Sequence, residues 1–327
     1  MRQFTRNLAL GLSVCAAWCV QAQTPVASTW PTKAIKIIVT YPTAGVSDNA
    51  TRVLAERLTK SLGQSVLVEN RAGAGGTLGA DVVAKAAPDG YTIGFAGISA
   101  FSIGPHVMKV NYDSLKDFSA VAAAMYSPVY LLATSKFAGN SFEDVIALSK
   151  AKPGSITVAT SGYGTVGHIM IEQLRKKSGA DITHVPYKGG GQIATDALGG
   201  QFDLMLANPY ANLNNLIADG KFRVLAVGAP QRIEKYPNVK TFAELGYPEA
   251  NMTSFFGFFA PARTPPEIIA KLNSEINRAL NDPEIAEKIR RLENLVVTGK
   301  PEYFGDMIQK EYAANAVIVN EANIKAE

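Results

Sequence analysis

The chain has 327 residues and a formal net charge of +4, with 47% of its residues hydrophobic and 18% charged. That near balance includes no basic tract for nucleic acid and no basic amphipathic stretch for a membrane surface. Beyond the N-terminal leader no apolar run approaches the roughly 20 residues that a membrane-spanning helix needs.

Residues 1–22 carry Arg2 and Arg6, an apolar run over 8–20 (LALGLSVCAAWCV), and Val20-Gln21-Ala22 before Gln23. A basic start, a short apolar centre and small residues before a cut predict a secretory signal peptide cleaved near Ala22, hence a periplasmic protein. A lipoprotein reading through Leu12-Ser13-Val14-Cys15 is weaker, because Val14 is large for the position before the cleaved bond. Cys15 and Cys19 both lie in the leader. The mature chain of about 305 residues would then have no disulfide and depend on packed cores, and that length suits two lobes.

Residues 34–40 (AIKIIVT) form a nearly continuous β-branched run, the mark of a strand buried on both faces. Apolar residues at Val53, Leu54, Leu58 and Leu62 give residues 48–62 a helical stripe. Strand 65–69, helix 77–87 and strand 91–95 follow, and this β-α-β-α-β beginning predicts a mostly parallel sheet. The apolar run 121–134 marks a crossing into a second lobe. There Ser141 caps a helix, with Asp144 at the capping-box position. Strands at 156–160, 182–185, 202–206 and 222–227 alternate with helices at 169–177, 193–198 and 213–219. Near 255–260 (FFGFFA) the chain returns to the first lobe. Thr264 is expected as an N-cap with Pro265 as the first helical residue, and Pro283 and Pro301 open two more helices. The predicted division is signal 1–22, a discontinuous first lobe of 23–125 and 253–327, and a second lobe of 126–252.

Three polar loops each follow a strand and precede a helix: 41–48 (YPTAGVSD), 160–168 (TSGYGTVGH) and 187–192 (YKGGGQ). In open α/β sheets ligands sit beyond the carboxyl ends of strands, where such loops converge. Glycines let backbone N–H groups come close, helix N-termini favour an anion, and hydroxyls add neutral donors. This chemistry suits a carboxylate. Tyr41 either lines the cleft or simply finishes its strand.

Residues 71–79 (RAGAGGTLG) roughly mimic a dinucleotide fingerprint, but the spacing is G-x-G-x-x-x-G and no acidic residue ends a following strand at the right distance. Close loop packing is the better account, and no cofactor is expected. There is no G-x-S-x-G, H-E-x-x-H, C-x-x-C or P-loop, so no catalytic residue is assigned. The histidines His106, His168 and His184 lack metal-ligand spacing, so no metal is expected. A small-ester hydrolase using Ser161 and His168 lacks an identifiable third group.

Val68-Glu69-Asn70-Arg71, Gly79-Ala80-Asp81 and 84–92 (AKAAPDGYT), then Val185-Pro186-Tyr187-Lys188-Gly189-Gly190-Gly191 and Phe258-Phe259-Ala260-Pro261, resemble the Bug-type receptors. These are the substrate-binding components of tripartite tricarboxylate transporters, and the resemblance covers essentially the whole mature chain. It implies an α/β, two-lobed periplasmic-binding-protein fold (type II-like) with a ligand cleft between lobes. It further implies capture of a small organic carboxylate (di-, tri- or aromatic) and delivery to a large and a small membrane subunit driven by an ion gradient. A monomer is expected, with no nucleic-acid partner. A periplasmic sensor that presents its bound form to a signalling protein is the alternative.

The family's first loop, approximately P-x-G-G-x-x-D, becomes Pro42-Thr43-Ala44-Gly45-Val46-Ser47-Asp48, with Ala44 in place of the first glycine. Its second-lobe loop, S-x-G-x-G-[ST]-x-x-H, matches Ser161, Gly162, Gly164, Thr165 and His168, with the serine one place closer to the glycines. An acidic residue that often precedes asparagine in the family is here Ala207, before Asn208, which favours a ligand without an ammonium group. The expected ligand-binding set is Tyr41, Thr43, Ala44, Gly45, Ser47, Asp48 and Ser99 from the first lobe. From the second come Ser161, Gly164, Thr165, His168, Tyr187 and Asn208. Asp48 is read as capping the first helix or ordering a bridging water.

Overall fold

The β-branched run near the start becomes β1 (Ile35–Val39), buried except at Lys36, in a computed structural model that describes residues 30–325. The predicted signal peptide and both cysteines lie outside the described residues. β1 pairs in parallel with β2 (Val66–Asn70) and β3 (Thr92–Gly97). Beyond β3 lie β10 (Ser254–Pro261), β4 (Phe118–Ser127) and β11 (Leu295–Val296), each antiparallel to its neighbour. A second sheet has β5 (Val129–Ala133), β6 (Ile156–Thr160), β7 (Ile182–Pro186), β8 (Leu204–Ala207) and β9 (Arg223–Gly228) in the order β7-β6-β8-β5-β9. The fold is α/β with two lobes, one built on each sheet.

Both sheets are mixed rather than mostly parallel. The βα units supply the parallel pairs β1–β2, β1–β3, β6–β7 and β6–β8. Of the strands at which the chain changes sheet, β10 runs against β3 and β5 against β8, while β4, antiparallel to β10, has the direction of β1–β3. The apolar run 121–134 is thus two strands broken at Pro128, which cannot donate to a ladder.

The helices start where the local chemistry directs. Before α5 (Phe142–Ala151) the Ser141 hydroxyl accepts from the Asp144 N–H at 3.1 Å, and the Asp144 carboxylate accepts from the Ser141 N–H at 3.0 Å. α10 (Pro283–Arg290) and α11 (Pro301–Glu321) open on their prolines. α9 (Pro266–Leu280) begins one residue later than expected, with Pro265 as N-cap. Thr264 does not cap it, because its hydroxyl donates to the Pro261 carbonyl at 2.8 Å. The end of α11 contributes Val319 to the second lobe's core cluster, and Ile324 just beyond it does likewise, so the C-terminal segment touches both lobes. No described helix is long and apolar enough to cross a membrane.

In the first lobe an aromatic cluster fills the layer between sheet and helices. Phe259 meets Phe101 at 4.8 Å and Phe118 at 5.4 Å between ring centroids, both edge to face. It lies opposite Gly94 in the β10–β3 ladder, and its ring occupies the space a side chain there would need. Phe259→Ala would leave a cavity that neighbouring strands cannot fill. Urea unfolding should show a loss of about 3–5 kcal/mol, and a loss below about 1 kcal/mol would contradict this packing account.

Candidate functional site

Five strands end or begin around one space between the lobes. β1 leads through Tyr41 and Pro42 into α1 (Val46–Leu62), and β6 leads through Ser161 into α6 (Val166–Ser178). β7 leads to α7 (Gly190–Leu198), β3 to the short helix α3 (Ser99–Ser102), and β8 to Asn208. Gly45–Ser47, Thr165–Gly167 and Gly190 all line the resulting cavity. About 50 Å³ of it is open to the centre of a water-sized sphere.

The N-caps of α1, α6 and α7 are Gly45, Thr165 and Gly189, and none of the three helices has a side-chain cap. The first N–H groups of a helix have no intrahelical acceptor, and each N-terminus carries roughly half a positive charge. Ser47, 1% exposed, adds a hydroxyl with no partner. An anion supplies what these groups lack.

Of the residues named from sequence, Tyr41, Gly45, Ser47, Ser99, Ser161, Thr165 and Asn208 line the cavity. Several of them have their polar atoms already engaged. The Tyr41 hydroxyl donates to the Gly75 carbonyl at 3.1 Å and lies 3.4 Å from Ser99 Oγ. Burial pushes this phenol up, against a smaller opposing effect of Ser99. The Thr165 hydroxyl donates to the Gly162 carbonyl at 2.7 Å and so shapes its own loop. Asn208 Nδ2 donates to the Pro128 carbonyl at 2.9 Å, and its Oδ1 accepts from Ser254 Oγ at 3.3 Å. Asn208 therefore ties together both places where the chain changes lobe.

Thr43, Ala44, Asp48, Gly164, His168 and Tyr187 do not line the cavity. Thr43 is exposed. Ala44 holds φ 63°, a conformation that favours glycine, and its N–H donates to Asp48 at 2.9 Å. Asp48 also accepts from Asn70 Nδ2 at 2.9 Å and from Arg52 at 3.1 Å. Burial alone would raise its carboxyl, but the bonds from Arg52, Ala44 and Asn70 outweigh it and hold the group below its usual range. Asp48 thus fixes the loop and the first turn of α1 from behind. Tyr187 turns away, donating to Asp196 at 2.8 Å.

His168 lies under the second loop, where its Nδ1 accepts from the Gly164 N–H at 3.3 Å. Its ring stacks on His184 with centroids 4.7 Å apart, and His184 Nε2 lies 2.7 Å from Thr160 Oγ1. Among the described residues Ser161 and His168 form no hydrogen bond. The described residues contain no group of three or more His, Cys, Asp or Glu able to hold a metal.

Close glycine contacts shut the mouth of the cavity. A Cβ on Gly75 (φ 63°) would collide with the Tyr163 carbonyl, and one on Gly189 (φ 144°) with the Pro42 ring. Gly164 comes equally near, its ideal Cβ falling 2.9 Å from Gly104 Cα. The glycine run 73–79 is therefore more than local packing, since Gly75 meets the opposite lobe. The floor is apolar, made by Ile98, Val129, Leu206, Ala207, Phe255 and Phe256. From sequence, 255–260 is expected only as a returning strand. The signal available was position, because β10 begins where the chain re-enters the first lobe.

A two-lobed α/β clamp closed over a small cavity with uncapped helix starts is the architecture of a solute-binding receptor. Residues 50–324 match the family described as tripartite tricarboxylate transporter family receptor. The chain belongs to that family. It is 37% identical over 301 residues to Protein BugT of Bordetella pertussis, covering 91% of this chain and 92% of the relative. A Rhodopseudomonas palustris protein solved with adipate superposes with a TM-score of 0.85 at 28% identity, covering 91% of this chain and 99% of the other. MatC from the same organism, solved with bound malate, gives 0.83 at 30% identity, covering 89% and 100%.

Two outcomes check this geometry. Gly189→Ala should lower the unfolding midpoint, because φ 144° strains any side chain, and should also bind ligand more weakly. A clash with a proline ring costs roughly 1–3 kcal/mol in the closed form only, so affinity by calorimetry should fall about 5- to 150-fold. Unchanged affinity would mean that this contact plays no part in closure. The histidine pair makes a prediction about pH. Burial and then the charge of Arg175 push His168 down to about 4, while burial, His168 and Arg175 push His184 down to about 3. The unfolded chain titrates near 6.5, so it binds more protons than the folded one below that pH. The pair's contribution is complete above about pH 6.5 and is lost as pH falls through about 4 and 3. Between pH 7 and pH 5, urea unfolding should show His184→Asn losing less stability than the unsubstituted protein, by up to about 1.4 kcal/mol per pH unit. Equal slopes would contradict the burial account.

Proposed function

We propose that the protein is an exported periplasmic receptor, with its signal cleaved near Ala22, that captures a small organic carboxylate between its lobes. Acting as a monomer, it delivers the ligand to the large and small membrane subunits of a tripartite transporter. The observation that carries this reading is the convergence of uncapped helix N-termini and the unpartnered, buried Ser47 hydroxyl on one cavity. The relatives solved with adipate and malate support the ligand class.

One carboxylate end takes the N–H groups at the start of α1 and the Ser47 hydroxyl, and Ser161 with the start of α6 meets it from the second lobe. Tyr41, Ser99 and Asn208 hold the walls, while Asp48 and His168 hold the loops from behind. A ligand that fits only between closed lobes draws the population to the closed form.

Calorimetry with the purified protein should give saturable binding of at least one small carboxylate. Ser47→Ala should then weaken that binding by roughly tenfold or more, the size of a hydrogen bond to a charged group, without changing the unfolding midpoint. Binding by no carboxylate, or full affinity in Ser47→Ala, contradicts the reading.

A further inference from the structure

Few polar groups of the cavity are uncommitted. The hydroxyls of Tyr41 and Thr165 are committed to backbone carbonyls, and the amide of Asn208 to Pro128 and Ser254. Tyr210 directs its hydroxyl to the Gly190 carbonyl at 3.3 Å. What stays available is Ser47, Ser161 and the helix starts, all on the loops beyond β1, β6 and β7. The rest of the lining is mostly apolar, with Val46, Ile98, Val129, Ile193, Leu206 and Phe256, and its further hydroxyls are those of Ser99, 3.4 Å from the Tyr41 hydroxyl, and Ser254, bonded to Asn208. No Asp, Glu, Lys, Arg or His lies among the described lining residues.

We infer that the site selects a monocarboxylate whose other end is a compact apolar body, and that it discriminates against dicarboxylates. This rests on the carboxylate reading above and narrows it. One carboxylate is matched by the helix starts, whose partial charges of roughly one half each suffice for a single anion. A second carboxylate would lie against the apolar floor with no cation, free amide or free hydroxyl to replace its water, and a buried unpaired charge is strongly disfavoured. The floor instead rewards apolar surface, and Phe256, whose neighbour Phe255 turns its ring to Tyr126 and Phe304, offers its ring to a branched or aromatic group. MatC, solved with malate, carries a ligand of the opposite kind, with two carboxylates.

The test is calorimetry of the purified protein with 3-methylbutanoate and benzoate as monocarboxylates, succinate, malate and adipate as dicarboxylates, and 3-methylbutanamide as the uncharged control. The expected result is that one monocarboxylate binds about tenfold or more tightly than every dicarboxylate, while the amide does not bind. A dicarboxylate binding as tightly as the best monocarboxylate overturns the inference and leaves the carboxylate reading standing. Binding of the amide as tight as that of its acid, or of no acid at all by protein that still unfolds cooperatively, overturns the carboxylate reading and the inference with it. Phe256→Ala gives an independent arm. It should weaken the preferred monocarboxylate about tenfold, and unchanged affinity there removes the apolar floor from recognition.

Discussion

An α-helix begins with N–H groups that its own backbone cannot satisfy. Here three helices, α1, α6 and α7, begin without a side-chain cap on the walls of one cavity. Of the other helices, α5 and α10 are capped, by Ser141 and Asp282, while α9 and α11 are not. The difference lies in the residues at the N-caps. Gly45 and Gly189 have no side chain to offer, and Thr165 spends its hydroxyl on Gly162. The unmet donors are thus concentrated where a ligand enters, and the supports behind them keep them in place. Asp48 ties the first loop to α1 and β2, and the stacked histidines hold the second.

Closure and recognition draw on the same loops. The segments that present helix starts to the cavity also touch across its mouth, through Gly75 against Tyr163 and Gly189 against Pro42. Side chains at those positions would keep the lobes apart. Asn208 sits at the opposite end, where it lines the cavity floor and bonds to Pro128 and Ser254 at the two chain crossings. A ligand between these regions bears on the hinge and the mouth together. The tail of α11, packed into the second lobe's core, adds a third connection.

Much of this was legible in the sequence. Continuous β-branched runs marked buried strands such as β1, and the polar glycine-bearing loops after strands are segments that line the cavity. Less legible were features that depend on non-local neighbours. Nothing local in Ala207-Asn208 says that the Asn208 amide is consumed by two backbone segments far away in the chain. Thr43, Gly164, His168 and Tyr187 share loops with cavity residues but point elsewhere, because loop conformation rather than membership decides exposure to the cavity. Antiparallel insertion of β5 and β10 follows from the chain crossing between lobes twice, a long-range property that periodicity does not encode. Phe255 and Phe256 read as ordinary strand residues until the crossing placed them on the floor.

A crystal structure of the protein with its tightest-binding acid tests the central claim most directly. The account predicts a carboxylate within hydrogen-bond distance of Ser47 Oγ and the N–H groups that open α1, facing the start of α6, with its apolar end on Phe256 and the neighbouring apolar lining. A carboxylate found instead against the apolar floor, or bound outside the cavity, would contradict it.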